Sequence, residues 1–327
     1  MALIDGFNRP ITYLRLSVTD RCDFRCVYCM AEDMTFLPRK DILSLEELAI
    51  IAQQFVELGV NAIRITGGEP LVRRGIDKLF QSLGNLSGLE ELTLTTNGSQ
   101  LHHHIDHLLA ANVKRINISI DSLQTERFTA LTRTGDLSQV LHNIDLAISA
   151  GLRVKLNSVI LKDQNSDEIL DLIDFALDKG TDISFIEEMP LGLITHHQRT
   201  EEFISSEVLR ERIRQKYSLI PTSQTTNGPS RYWQVPSYSS LIGFISPHSQ
   251  NFCGACNRVR VTAEGKLLLC LGNEDSVDLK QIIRQHPNDG ERLKDAIIDS
   301  LTKKPEKHHF TTNGDTDIVR FMNTTGG

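Results

Sequence analysis

Residues 62–98 read AIRITGGEPLVRRGIDKLFQSLGNLSGLEELTLTTNG. Two short apolar runs, Ala62–Thr66 and Glu91–Thr96, bracket a helical pattern over Ile76–Leu86. Strand, helix and strand in that order make a βαβ unit, whose nearly continuous apolar strands suit a parallel sheet covered on both faces. The alternation extends both ways. Leu14–Val18 precedes the unit as a strand, and Arg115–Ile120, Val154–Ile160 and Ile183–Glu187 follow it. Ser44 opens the first helix with Glu47 three residues on, a capping box. Its apolar stripe runs through Leu48, Ile51, Ala52 and Phe55 until Gly59 stops it. Further helices are predicted at Leu101–Ala111, at Leu137–Ala150 before Gly151, and at Ser166–Asp178 before Gly180. Six βα units in series predict an α/β fold, a partial (β/α)6 TIM-like barrel. Six falls short of the eight of a complete barrel, so one side is expected to stay open.

The pattern changes after Pro190. Residues 191–205 and Pro221–Ser240 are polar and irregular. Arg258–Leu269 reads as a hairpin turning at Ala263-Glu264-Gly265, followed by helical patterns at Asp278–Gln285 and Glu291–Leu301. Residues 1–220 are therefore expected to form the barrel and 221–327 a C-terminal extension. With 327 residues, 40% hydrophobic and 24% charged, the chain has the composition of a globular protein with a substantial core. A net charge of −7 speaks against a nucleic-acid surface, yet allows a nucleotide held by a few local cations. The start, MALIDGFNRPITY, has no apolar signal core, and no apolar run approaches the roughly 18 residues of a membrane span. A cytoplasmic chain with reduced thiols and no membrane partner is expected, which disfavours three disulfides.

The six cysteines fall into two triads, Cys22-x3-Cys26-x2-Cys29 and Cys253-x2-Cys256-x13-Cys270. A structural zinc site normally closes with four ligands, whereas a four-iron cluster on three thiolates keeps one iron open. The first triad follows the first strand directly, where barrels place their active-site loops. From the residues alone, a zinc site borrowing a distant histidine stays open as the alternative. Beside the second triad, Arg258 and Arg260 share a strand face and suggest an anionic ligand, the alternative being a solvated hairpin face. His102-His103-His104 and His107, with His103 and His107 four apart on one predicted helix, read as a solvated face. His196-His197 and His308-His309 are read in the same way.

The first triad, with Tyr28 before its third cysteine, and Thr66-Gly67-Gly68-Glu69-Pro70 resemble the radical S-adenosylmethionine (SAM) superfamily. Two glycines without Cβ atoms would let backbone groups approach a ligand's amino group. The resemblance implies a [4Fe–4S] cluster on Cys22, Cys26 and Cys29 whose open iron chelates SAM. One electron from the reduced cluster then cleaves SAM to methionine and a 5′-deoxyadenosyl radical, which the protein positions and shields.

Over essentially the whole chain the sequence resembles the GTP 3′,8-cyclase (MoaA) family of molybdenum cofactor biosynthesis. The match runs through Leu14-Arg15-Leu16-Ser17-Val18-Thr19-Asp20-Arg21-Cys22, Arg64–Gly68, Thr95–Gly98, Ser119–Ser122, Phe185–Pro190, Asn257–Arg260 and the terminal Gly-Gly. The resemblance implies that Arg15, Arg64, Thr95, Lys155, Arg258, the backbone of Val259, and Arg260 bind GTP. Tyr28, Gly68, Ser119 and Met189 would contact SAM. It implies a second [4Fe–4S] cluster on Cys253, Cys256 and Cys270, its open iron binding the guanine. Gly326 and Gly327 would enter the active site and assist catalysis, having no side chains to block threading, although Phe321–Thr325 follow the family ending only loosely. Thr66–Gly68, Thr95, Ser119 and Met189 fall near the C-terminal ends of four strands and would converge on one cavity mouth. Lys155 lies nearer the start of its strand.

The implied reaction abstracts hydrogen from C3′ of GTP, joins C3′ to C8, and reduces the adduct to (8S)-3′,8-cyclo-7,8-dihydroguanosine 5′-triphosphate. Holding C3′ against the radical is chiefly a positioning task. Implied partners are GTP, an electron donor such as flavodoxin or ferredoxin, and the next pathway enzyme, cyclic pyranopterin monophosphate synthase. A homodimer is compatible with the sequence. The alternatives are a radical SAM enzyme with an auxiliary cluster acting on a peptide or other small molecule, and a non-enzymatic iron–sulfur or zinc protein.

Overall fold

In the computed structural model, which describes residues 2–194, 197–308, 310 and 318–326, the six apolar runs form strands within one residue of their expected spans. They are β1 (Tyr13–Ser17), β2 (Ala62–Thr66), β3 (Glu91–Thr96), β4 (Arg115–Ser119), β5 (Arg153–Val159) and β6 (Asp182–Ile186). All pair in parallel and in chain order. Between them lie α1 (Leu45–Glu57), α2 (Ile76–Gly84), α3 (Ile105–Ala110), α4 (Thr125–Thr132), α5 (Leu137–Ser149) and α6 (Ile169–Asp178). Strand residues alternate in their surroundings. Leu14, Leu16, Ile63, Ile65 and Ile116 join the apolar core with the helices, while Arg15, Arg64 and Asn117 line an interior cavity.

The capping box at α1 is present: Ser44 Oγ accepts from Glu47 N at 3.1 Å, and Glu47 accepts from Ser44 N at 2.7 Å. The helix expected over Leu101–Ala111 is instead broken into a tight 3-10 turn, Leu101–His103, and α3, so His103 and His107 do not share one continuous helix. α4 was not expected. It buries only Phe128, Leu131 and Thr132, too short an apolar stripe to stand out.

The largest departure lies beyond Pro190. Expected as irregular, residues 191–205 contain α7 (Arg199–Glu202); α8 (Ser206–Arg214) follows. Strands β7 (Ile220–Pro221), β8 (Arg231–Gln234), β9 (Leu241–Ile245), β10 (Arg258–Val261), β11 (Lys266–Leu268) and β12 (Ser276–Asp278) complete one sheet in the order β12-β11-β10-β1-β2-β3-β4-β5-β6-β9-β8-β7. β10 pairs in parallel with β1, and β9 in parallel with β6. The chain beyond residue 220 therefore extends the six-stranded barrel at both edges. Gly243 allows the β9 approach, since a Cβ there would stand 2.2 Å from the hydroxyls of Ser184 and Ser230. The expected 258–269 hairpin forms from β10 and β11, pairing Arg260 with Leu268. After β12 come α9 (Leu279–Gln285), α10 (Gly290–Leu301) and a final turn, α11 (Met322–Thr325). Among the described residues, no helix is long and apolar enough to cross a membrane.

Candidate active site

The loop after β1 carries Cys22, Cys26 and Cys29, and the loop after β2 locks it in place. Gly68 N donates to Thr19 O at 2.8 Å, and Glu69 N to Arg21 O at 2.8 Å. A Cβ on Gly68 would stand 2.4 Å from Arg21 O, and one on Gly67 2.6 Å from Thr19 O. The glycine pair thus has a structural task beyond any ligand: it lets two loops dock backbone to backbone. Glu69, fully buried, ties in a third loop by accepting from Leu71 N, Thr96 Oγ1 and Asn97 N at 2.9, 2.8 and 2.7 Å. Burial raises its carboxyl to about 8, against the pull of those donors. Tyr28 donates to Asp121 at 2.7 Å, and burial raises Asp121 to about 6.

Cys22, Cys26 and Cys29 line one end of the cavity together with Tyr28, Gly68, Ser119 and Met189, which are the residues the resemblance assigned to SAM. This end encloses about 1040 Å³ of non-protein space, solvent at its mouth included. Burial pushes all three thiols up, Cys29 to about 12. With Glu69 and Asp121 raised as well, this end lacks positive charge. A cationic metal core and a cationic cofactor fit that lack, since a metal stabilises thiolates outright.

The other end has the opposite character. Arg15 on β1 stands beside Arg64 on β2 and Arg260 on β10, while Tyr13 pairs with Arg258. Like charges directly opposite on neighbouring strands repel. Arg64 reaches the Tyr13 hydroxyl and donates to Thr95 Oγ1 at 3.2 Å. Arg15 Nε and Nη2, Arg258 Nε and Arg260 Nη1 are buried with no hydrogen-bond partner. Burial, then Arg260 and the other neighbouring cations, hold Arg15 well below the usual guanidinium range; burial and Arg258 bring Arg260 to about 10. A guanidinium is otherwise always charged, so these unmet donors call for an anion.

Lys155, read as nearer the start of its strand, is in register with Thr95. It pairs with Asn117, and Asn117 with Thr95. Its ammonium donates to Tyr232 Oη at 2.8 Å, and burial lowers its pKa. Lys155, Arg258, the Val259 segment and Arg260 all line this end, with Cys253, Cys256 and Cys270. It encloses about 1090 Å³, and Thr95, Asn157, Ile186, Met189 and Met322 line both ends, so the two adjoin across those side chains.

Two braces around the second triad were not legible in the sequence. Arg9 donates to Cys253 O at 2.8 Å and to Glu306 O and Pro305 O at 2.7 Å, held by Asp5 at 2.6 Å. Buried Lys304 donates to Cys256 Sγ at 3.7 Å, to Arg258 O at 3.1 Å and to Leu269 O. Burial raises Cys270; in Cys256 it is outweighed by Lys304 and Arg258, which lower that thiol. All six cysteines are free, and among the described residues no three His, Cys, Asp or Glu groups gather around a single ion position.

The tail enters the same cavity. Asn323 donates to Asp20 O at 2.8 Å, and Gly326, at φ +75°, abuts Thr66 so closely that a Cβ would stand 2.1 Å from its hydroxyl. Gly327, His196 and His309 lie outside the described residues. His197, expected to be solvated, is buried: Glu188 lies 2.7 Å from its Nε2 and Glu202 3.3 Å from its Nδ1, and Arg199 joins Glu188 at 2.9 Å. His308, also expected to be solvated, is half-buried against Phe310 and lines the second end. His102, His103 and His107 are exposed.

Comparison with known proteins adds a family context. The radical SAM superfamily model matches residues 16–176, and one described as Molybdenum Cofactor Synthesis C matches residues 181–310. A GTP 3′,8-cyclase of Pseudomonas entomophila (strain L48) is 60% identical over 328 residues, covering 100% of this chain and 98% of the relative. One from Saccharophagus degradans is 57% identical over 326 residues, covering 99% and 98%. Among solved structures, Streptococcus suis SuiB bound to precursor peptide SuiA superposes with a TM-score of 0.65 at 16% identity, over 92% of this chain and 67% of that one. At that identity the likeness is one of fold.

Proposed function

The chain belongs to the GTP 3′,8-cyclase family of radical SAM enzymes, and from that membership we propose a division of labour between the two ends of its cavity. It cyclises GTP to (8S)-3′,8-cyclo-7,8-dihydroguanosine 5′-triphosphate in molybdenum cofactor biosynthesis, using SAM and a [4Fe–4S] cluster. The first cluster is assigned to Cys22, Cys26 and Cys29. When bound, it and SAM supply the 5′-deoxyadenosyl radical that starts the cyclisation. Tyr28, Gly68, Ser119 and Met189 hold SAM against that triad.

At the other end, Arg15, Arg64, Arg258 and Arg260 clamp the triphosphate through fork-shaped donors, with Lys155 as a further cation and Thr95 and the Val259 backbone as polar contacts. Cys253, Cys256 and Cys270 would hold a second [4Fe–4S] cluster at this end, where its open iron would offer a site for the guanine. Residues 1–220 then serve as the SAM half, and 221–327 as the auxiliary-cluster half with its tail. Gly326 closes the cavity beside Thr66, and Gly326 and Gly327 are assigned the task of assisting the reacting groups. An external carrier such as flavodoxin or ferredoxin delivers electrons, and cyclic pyranopterin monophosphate synthase takes the product. The setting is the cytoplasm, and a homodimer is compatible with the fold.

The observation that carries this reading is a row of arginines with unpartnered buried donors, lining a cavity end that adjoins the first triad. A triphosphate matches several clustered guanidiniums at once, whereas a peptide would meet them only where it carried carboxylates. Reconstituted protein incubated anaerobically with GTP, SAM and dithionite is expected to form 5′-deoxyadenosine and a cyclised guanine nucleotide. Absence of both overturns the proposal. An iron and sulfide count with EPR, before and after SAM and GTP, is expected to give two clusters with separate ligand responses.

A further inference from the structure

A second cleft opens between the start of the cysteine loop, at Thr19 and Arg21, and the starts of α1 and α2. It encloses about 1410 Å³ and is lined by Arg21, Arg39, Arg73, Arg74, Lys78 and Arg284, with Glu46 as the one acidic residue in its lining. Two of these cations are structural. Arg73 donates to Val18 O at 3.1 Å and Leu43 O at 2.8 Å, and Arg284 pairs with Glu47 at 2.7 Å. The other four, Arg21, Arg39, Arg74 and Lys78, are exposed and form no ion pair among the described residues. On a chain of net charge −7, four free cations around one cleft make a local reversal of sign. The N-termini of α1 and α2, whose cap positions Ser44 and Gly75 also line the cleft, add to that potential.

The location gives the reversal a purpose. Arg21 is bonded to Cys22, and Thr19 and Arg21 offer the carbonyls on which Gly68 and Glu69 dock. The cleft and the first triad are therefore lined by neighbouring residues of one loop, with no lining residue in common. The reaction consumes an electron at that triad, and it must come from outside. A carrier docked here would sit one residue along the chain from Cys22, at a cleft that shares no lining residue with the substrate cavity.

We propose that this cleft is the docking surface for a small acidic one-electron carrier protein. The step is a bare electron transfer: the reduced carrier is oxidised by one electron, the first cluster is reduced by one, and no bond or proton moves. The inference rests on the assignment of that cluster to Cys22, Cys26 and Cys29. Arg39, Arg74 and Lys78 steer and orient an acidic face, so the encounter rate should fall steeply with ionic strength.

The test compares two reductants on the full-length, reconstituted holoenzyme, reading 5′-deoxyadenosine formation. With reduced flavodoxin as the carrier, the double variant Arg39→Glu/Arg74→Glu is expected to lose about tenfold in rate at low salt and most of its salt dependence. With dithionite its rate should match the unmodified enzyme, and Lys78→Glu should behave alike. Equal loss with both reductants, or no loss with flavodoxin, overturns the docking surface. If the unmodified enzyme is silent with dithionite, the cluster assignment itself falls, and the docking proposal with it.

Discussion

The ammonium of Lys304 lies 3.7 Å from Cys256 Sγ, and its two other donors go to the carbonyls of Arg258 and Leu269. A lysine has three donors, so all are committed to the segments that carry Cys256 and Cys270. No sequence spacing links residue 304 to those cysteines. The contact forms because the turn after α10 brings Lys304 under the β10–β11 hairpin.

Lys304→Met is expected to lower the midpoint potential of the proposed second cluster, because net charge and hydrogen bonds to sulfur set such potentials. Loss of the ammonium also removes its hydrogen bonds to two carbonyls, at about 1–3 kcal/mol each for a charged donor, so the melting temperature should fall. Spectroelectrochemical titration with EPR distinguishes the two effects. Lys304→Arg should restore part of the potential, and a potential unchanged in Lys304→Met would show the lysine to be a strut alone.

Gly326→Ala places a methyl group where Thr66 Oγ1 would be 2.1 Å away, at a backbone φ of +75° that alanine adopts poorly. The tail must move. Misplacement by about 1 Å can cost roughly a hundredfold in rate, so cyclised product should drop by that order while 5′-deoxyadenosine formation persists. The product ratio measured by chromatography reads this uncoupling, and melting temperature should change little.

Much of this arrangement was legible in the chain itself. Ala62–Thr66 and its five companions are apolar runs between helical patterns, and local signals of that kind survive folding unchanged. β9, Leu241–Ile245, is equally apolar, but its neighbour β6 lies far back in the chain and polar segments surround it. Pairing across such a separation leaves no local mark. Lys155 shows the same limit: its depth along β5 said little until register through Asn117 set it level with Thr95. The contacts of Arg9 and Lys304 that brace the second triad are to carbonyls and a sulfur brought near by the finished fold.

Arg15→Met removes one member of the Arg260–Arg15–Arg64 row, where like charges sit side by side without an anion. Without GTP, the melting temperature should hold or rise, since relieving unpaired buried charge is often stabilising. GTP affinity should fall by about 10–100-fold, the loss of one or two charge-assisted hydrogen bonds. Calorimetry with and without GTP checks both. A variant less stable in both states would mean that Arg15 serves packing.

His197 gives the segment around Met189 a pH dependence. Burial lowers its pKa, but the hydrogen bond and charge of Glu188, then the charge of Glu202, outweigh burial and the opposing Arg199, and the net shift is upward. A histidine raised above its ordinary value of about 6.5 contributes stability that is complete below that pH and is lost as pH rises through the folded value. The loop that presents Met189 should therefore loosen on the alkaline side of about pH 6.5. Amide hydrogen exchange over Glu187–Met189, corrected for intrinsic rate, should show protection falling between pH 6 and pH 8. His197→Gln keeps a polar side chain but cannot titrate, so its protection should be flat over that range and lower at pH 6. If KM for SAM climbs with pH in the unmodified enzyme but not in the variant, the network holds Met189 against its ligand. A parallel rise in both would place the titrating group elsewhere.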